Sequence, residues 1–414
     1  MLKLACFKVD VTPPVGACAG FKSKTLTVRD PLFARGLILD DASTRLALVS
    51  LDYCALVHSA YEQLRATLAT AAGTANDRVL IHCIHQHDAP LVDFEAAKHL
   101  EMPEQYQWWP EMLAKCAATA GEGVRNFQEA AEISSTSYCL EGYASNRRVV
   151  MPDGTIAVRW SRCGDERIRN APLGSIDPML KTVAFRGKDG NILGSLSFYA
   201  THPQVANTGD KFSADAPGEA LRLLGDEAGL HLFFTGCGGN VTAGKYSTPE
   251  PETNLLHFGK KLAAAIRTNL ERAEWRKAGK LDWRSVAFPF PCRELNRREL
   301  LDKLQSNPGN TNLAALLGVI DFGPLPYTMY KLQSSGINIF FLPGELFVEY
   351  QLFINSLYPE EFVAVAANCR DDFFYCPLAA DFETVGGYET QNFCYTNREF
   401  ETRFKAAAKE VSRL

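Results

Sequence analysis

Short apolar runs alternate along this chain with stretches whose apolar residues recur every three to four positions. The runs at 37–39 and 46–51 read as paired strands joined by the polar turn Asp40-Asp41-Ala42-Ser43. Helical periodicity predicts helices over 61–71, 111–124, 216–224, 255–271, 346–357 and 397–412. Runs rich in branched and aromatic residues predict strands over 79–85, 194–200, 231–234, 337–342 and 362–367. The first ten residues alternate like a further strand. This succession predicts an α/β fold with mixed central sheets covered by helices. No internal repeat or low-complexity tract breaks it. The segment 276–281 is the best candidate for a seam, and residues 1–414 are expected to form one continuous domain.

In such folds ligands gather where strands run out into loops. The strand Val79-Leu80-Ile81-His82-Cys83-Ile84 leads into His85-Gln86-His87-Asp88-Ala89-Pro90. Side chains two apart on a strand share a face, so His85 and His87 are expected in one pocket and His82 on the other side. A second strand ends in Thr201-His202-Pro203, and a third in Thr235-Gly236-Cys237-Gly238-Gly239-Asn240-Val241-Thr242. A fourth ends in Pro343-Gly344-Glu345. Imidazole and carboxylate are zinc-type ligands, and a catalytic zinc site combines about three of them with a position for water. His58, His99, His231 and His257 lack this context and are expected at the surface or in caps. Cys237 is a second candidate nucleophile, although no reactive-cysteine signature surrounds it. Asp215 opens an apolar helical run and reads as a helix N-cap or an orienting group behind the ligands.

Composition narrows the partners. A content of 46% hydrophobic and 22% charged residues is that of a soluble globular protein. The net charge of −5 leaves no basic surplus to neutralise phosphates, which argues against a nucleic-acid partner. The apolar runs are too short to span a bilayer, so no stable membrane insertion is expected. The 12 cysteines show no paired spacing and read as free thiols. With no secretory stretch at the start, they make a cytoplasmic location the expectation. A small-molecule substrate and, where subunits pair, a homo-oligomer complete the expected partners.

Taken in order, these segments resemble the neutral ceramidases, zinc-dependent amidases that cleave the N-acyl bond of ceramide. Asp10-Val11-Thr12-Pro13-Pro14-Val15-Gly16 and Asp30-Pro31-Leu32-Phe33-Ala34-Arg35 are similar to the start of that family's catalytic domain. Ile84-His85-Gln86-His87-Asp88-Ala89-Pro90 resembles its Thr-His-Thr-His-Ser-Gly-Pro motif, in which the first histidine binds zinc and the second lies beside the scissile bond. Asn146-Arg147 is similar to its Asn-Arg substrate motif, Thr201-His202-Pro203 to its second zinc histidine and Pro343-Gly344-Glu345 to its glutamate ligand. Phe374-Tyr375-Cys376-Pro377 and Gly387-Tyr388-Glu389 resemble segments carrying a zinc-proximal and a carbonyl-facing tyrosine. There are departures. Gly238-Gly239-Asn240-Val241-Thr242 puts Thr242 where the family has a serine, and Gln86, Asp88 and Ala89 replace the Thr-Ser-Gly of the histidine motif. After Tyr388 too little sequence follows for the family's β-sandwich domain, so none is expected.

The resemblance implies a catalytic domain of neutral-ceramidase type holding Zn2+ through His85, His202 and Glu345, with Tyr375 as a fourth, loose ligand. His87 is then the general acid, and Glu345 also helps to move the proton. Tyr388 is the oxyanion donor, Thr242 a catalytic-site hydroxyl, and Arg147, Asn146 and Asn240 bind substrate. The expected activity is zinc-dependent hydrolysis of an N-acyl bond in a small, soluble, polar substrate. Two alternatives stay open: a true ceramidase, for which Trp108-Trp109 would form an apolar rim, and a lyase or isomerase acting on a sugar or cyclitol in the same pocket.

Overall fold

The computed structural model describes residues 1–20, 24–226 and 229–414. Three sheets organise them. The first runs in the order Val79–Cys83, Arg45–Leu51, Phe33–Asp40, Lys3–Asp10, Gln128–Glu129. The second runs Leu230–Thr235, Ile192–Tyr199, Met179–Arg186, Glu132–Cys139, Arg276–Lys277, and the third Asp282–Pro289, Pro326–Ser334, Ile337–Phe341, Phe362–Ala366. Each is antiparallel except for one parallel pair at its edge. Parallel neighbours need a crossover, and a helix supplies it each time: His58–Ala72, Asp215–Leu224 and Val348–Ser356.

The apolar runs are continuous because both faces of these strands are buried. In the first sheet Leu46 and Leu48 face an interior shared with Leu196 and Phe234 of the second sheet and Ile339 and Phe341 of the third. Ala47, Val49 and Leu51 face the other way, onto Ala60, Leu64 and Leu68 of the His58–Ala72 helix and Met112, Cys116 and Ala120 of the helix Trp109–Val124. Phe234 sits at the junction, with ring centroids 5.1 Å from Phe198 and 6.4 Å from Phe341. Phe234→Ala is expected to cost about 3–5 kcal/mol, measured by urea unfolding, because three sheets cannot all close on the cavity it leaves.

The strand ends that emerge from this interior are tied to one another. Thr235 donates its hydroxyl to the Ile84 carbonyl (2.7 Å) and its amide to His82 Nε2 (2.9 Å). The Ala367 amide reaches the Thr235 carbonyl (2.9 Å), and the Cys83 amide the Asn368 carbonyl (3.1 Å). Loops from all three sheets are thereby drawn to one place.

Most expected elements are present with ends moved by a few residues. The strand expected to reach His85 stops at Cys83. The expected seam is stitched in on both sides: Arg276–Lys277 pairs with the edge of the second sheet, and the Leu281 amide donates to Asp41 of the first (2.8 Å). His58 and His231, expected at the surface or in caps, are buried, on Asp372 (2.7 Å) and Ser195 (2.6 Å) respectively. Among the described residues no helix is long and apolar enough to cross a membrane.

Candidate metal centre

Each sheet contributes one polar side chain just past a strand of its parallel pair, the edge strand in the first sheet and the inner strand in the other two. His85 follows Val79–Cys83, His202 follows Ile192–Tyr199, and Glu345 follows Ile337–Phe341. Their ligand atoms lie within 4.8 Å of one another. His85 Nε2 is 3.1 Å and His202 Nε2 3.3 Å from the same Glu345 oxygen.

The loops reach this arrangement by special backbone. His85 has φ 73°, a left-handed conformation uncommon for a non-glycine residue, which turns its ring in just beyond the strand end. His87 therefore joins His85 through a loop and not by strand alternation; their ring centroids are 5.1 Å apart, and His87 is 6.1 Å from His202. Gly238 and Gly239 form the floor between the other two ligands. A Cβ on Gly238 would come 2.9 Å from the Thr201 backbone, and one on Gly239 2.6 Å from the Glu345 carbonyl. Only glycine allows that approach.

The donor set fits a cation. His85 Nδ1 lies 2.9 Å from the Cys54 carbonyl and His202 Nδ1 2.6 Å from the Gly238 carbonyl. A carbonyl only accepts, so both Nδ1 atoms carry protons and both Nε2 atoms face the carboxylate, where they can bind a cation or, without one, share a proton with Glu345. A buried carboxylate facing two imidazole nitrogens calls for positive charge between them, supplied by a metal ion or, without one, by a proton. Backbone-held imidazoles of this kind are the usual second layer of metal sites. Burial alone would raise the Glu345 carboxyl, yet the two imidazoles hold it well below the ordinary range. Burial and the Arg147 charge lower His202 to about 4.

Two phenols border the trio. Glu345 and Tyr375 are partners in a short parallel pair, which sets the Tyr375 hydroxyl 3.5 Å from His202 Nε2. Tyr388 follows, its hydroxyl 3.3 Å from that of Tyr375. Burial raises both phenols above their usual range, leaving them as neutral donors.

The other expected site residues are held by the protein itself. Arg147 is 1% exposed and pairs with Glu389 (2.9 Å), donates to the Gly239 carbonyl, and lies under the rings of Tyr375 (5.2 Å) and Tyr388 (4.9 Å). Asn146 receives the Arg148 amide (2.9 Å) and donates to the Ser175 carbonyl (3.1 Å). Asn240 receives the Val348 amide (2.8 Å) and donates to Glu349 (2.9 Å). Thr242 donates to the Arg159 carbonyl (3.1 Å). Asp215 accepts the Ala206 (2.9 Å) and Val205 (3.2 Å) amides, fixing the loop after His202. Cys237 is fully buried, and burial drives its thiol upward, away from the thiolate a nucleophile needs. Trp109 is buried against Phe94 (centroids 5.7 Å) instead of forming a rim.

Glu389 is the residue that sequence reading missed. It is completely buried and holds both Arg147 and Arg148 (2.7 Å). Its partners lie 242 and 241 positions away, so no local pattern marks it. Glu389→Ala is expected to cost about 3–5 kcal/mol in chemical denaturation, since it leaves a buried guanidinium without its counter-charge.

A three-sheet α/β fold whose strand ends converge on a His-His-Glu cradle is the class of protein defined here. It is the fold of the neutral ceramidases. The chain superposes on the neutral ceramidase from Pseudomonas aeruginosa with a TM-score of 0.73 and 15% identity, covering 100% of this chain and 75% of that one. A ceramidase complexed with C2 gives 0.74 and 14%, covering 99% and 74%. No protein-family model matches the sequence, and no curated protein matches it in sequence.

Proposed function

We propose that this chain is a metal-dependent hydrolase of an N-acyl amide bond, with zinc as the metal and a small, water-soluble, polar molecule as the substrate. The observation that carries this reading is the cradle of His85, His202 and Glu345 set beside a third imidazole and two phenols. The fold shared with ceramidases supports amide chemistry in particular. Zinc bound there would act as a Lewis acid and lower the pKa of a bound water towards about 7.

The chain's own groups do the rest. His87 Nδ1 is fixed on the His85 carbonyl (3.1 Å), so Nε2 is the atom that exchanges a proton. It takes one up as water adds to the carbonyl and returns it to the departing nitrogen. The Tyr388 hydroxyl, backed by Tyr375, donates to the developing oxyanion, where one well-placed donor contributes about 3 kcal/mol. Arg147 holds both tyrosine rings in place from below. Twelve cysteines with no disulfide among the described residues fit a reducing, cytoplasmic setting.

The test is a screen of the zinc-loaded protein against N-acyl amino acids, N-acyl sugars and ceramide in detergent. Release of free amine from the soluble amides is expected, with negligible turnover of ceramide. Efficient ceramide cleavage overturns the substrate class; turnover of a sugar or cyclitol with no amine released overturns the reaction.

A further inference from the structure

A small polar substrate has little apolar surface to bury and is held by a few directed, charged contacts. Arg147 is already neutralised by Glu389, so that contact must come from elsewhere. The segment after it carries further arginines, most of them also paired: Arg148 with Glu389 and Asp381, Arg167 with Asp165 (3.2 Å), and Arg169 with Glu166 (3.4 Å). Arg159 lacks a carboxylate but is fully buried, its N–H groups taken by the carbonyls of Ile168, Asn146, Ala171 and Pro172. Arg162 differs from all of these. It is half-buried, and among the described residues no carboxylate lies within ion-pair reach of it. Its Nη2 donates to the Asn207 carbonyl (3.2 Å), and its Nη1 reaches the Pro249 carbonyl at 3.5 Å. A guanidinium has more N–H donors than these two bonds use.

Two ties place this segment at the candidate site. At one end the Trp160 ring stacks on Tyr388, with centroids 5.2 Å apart and planes 15° from parallel. At the other, Arg162 grips the loop that runs on from His202. That loop is pinned to the histidine motif. Asp88, next to His87, accepts the Thr208 amide (2.8 Å) and hydroxyl (3.0 Å) and the Gly209 amide (2.6 Å). Trp160 therefore stands on the Tyr388 side of the opening and Arg162 on the His87 side. The backbone leading to both is anchored at Arg159, whose carbonyl receives the Thr242 hydroxyl (3.1 Å). A base fixed in this way lowers the ordering cost of binding a ligand.

We propose that Arg162 binds a carboxylate on the amine half of the substrate, which makes N-acyl amino acids the preferred class. The side follows from the roles of the neighbouring groups. His87 returns its proton to the departing nitrogen, so the amine half lies towards His87 and the loop that Arg162 holds. That assignment to the amine half rests on the amide-hydrolase reading; recognition of a carboxylate beside the metal centre does not. The planar fork of arginine meets a carboxylate at two points, which a lysine cannot do.

Two measurements on the zinc-loaded full chain test it, with N-acetylglycine and its neutral counterpart N-acetylethanolamine. In the first, kcat/KM is compared for the two compounds. The parent is expected to favour N-acetylglycine, Arg162→Gln to lower that preference by about tenfold, chiefly through KM, and Arg162→Lys to recover part of it. In the second, calorimetry follows the binding of both compounds to His87→Ala, with and without Arg162→Gln, so that no turnover is needed. A loss of about the same size is expected for N-acetylglycine alone, and it is expected to shrink with added salt. Selective binding with no amine released by the parent sinks the amidase reading and leaves the carboxylate site. Turnover with a preference indifferent to Arg162→Gln sinks the carboxylate site and leaves the amidase. An equal loss for both compounds in Arg162→Gln also overturns the proposal, since the arginine then only braces the loop at Asn207.

Discussion

His85→Ala and His202→Ala are each expected to abolish tight zinc binding, taking a parent protein that holds about one metal per chain to one that holds none after dialysis. The two imidazoles approach one Glu345 oxygen at 3.1 and 3.3 Å, with their Nδ1 protons fixed on backbone carbonyls. With those protons fixed, the two Nε2 atoms and the Glu345 oxygen are the atoms left to face a metal. Losing a group that merely orients a ligand costs 10–100-fold in metal affinity, so losing the ligand itself is expected to cost more. Elemental analysis reads this directly. A second readout needs no substrate: at a metal concentration about 100 times Kd, binding stabilises the fold by about 2.7 kcal/mol, and that increment is expected to vanish in both variants. Metal retained in the double variant would remove the site assignment, and with it the proposed chemistry.

His87→Ala is expected to keep the metal and lose turnover by about 10²–10⁴-fold in kcat, the range typical of a general acid–base group. His87 shares the pocket with the trio, its centroid 5.1 Å from His85 and 6.1 Å from His202, but it lies outside the group whose ligand atoms converge. Its Nδ1 bond to the His85 carbonyl orients the ring without tying it to Glu345. Steady-state kinetics with metal analysis on the same sample separates the roles. If zinc disappears along with activity, His87 is a ligand; if kcat is unchanged, proton transfer belongs to Glu345 or another group.

The fold class was legible because its signals are local. Leu64 and Leu68 recur at helical spacing, and the runs around Leu48 and Phe341 are apolar on both faces. What escaped was three-fold reuse of one device. Each sheet ends in a parallel pair bridged by a helix, yet no sequence repeat betrays it, since burial asks only for apolar side chains of suitable volume. The more polar strands Glu132–Cys139 and Asp282–Pro289 also went unread, because their partners supply the pairing and leave most of their side chains in partial contact with water.

The sequence by itself determined which residues are chemically able to hold a cation and where they leave their strands: His85, His202 and Glu345 each follow an apolar run, and short-range pattern suffices for that. Only the tertiary structure decided how these and the polar residues around them are used. His85 and His87 meet through a left-handed turn and not through strand alternation, and Thr242 grips the Arg159 carbonyl. Arg147 is held by Glu389 from 242 positions away and lies beneath two tyrosines, so its charge is spent inside the protein. The physical reason is one of range. Periodicity and turn chemistry act over a few residues, whereas hydrogen bonds and ion pairs are settled by whichever partner the closed fold brings within about 3 Å.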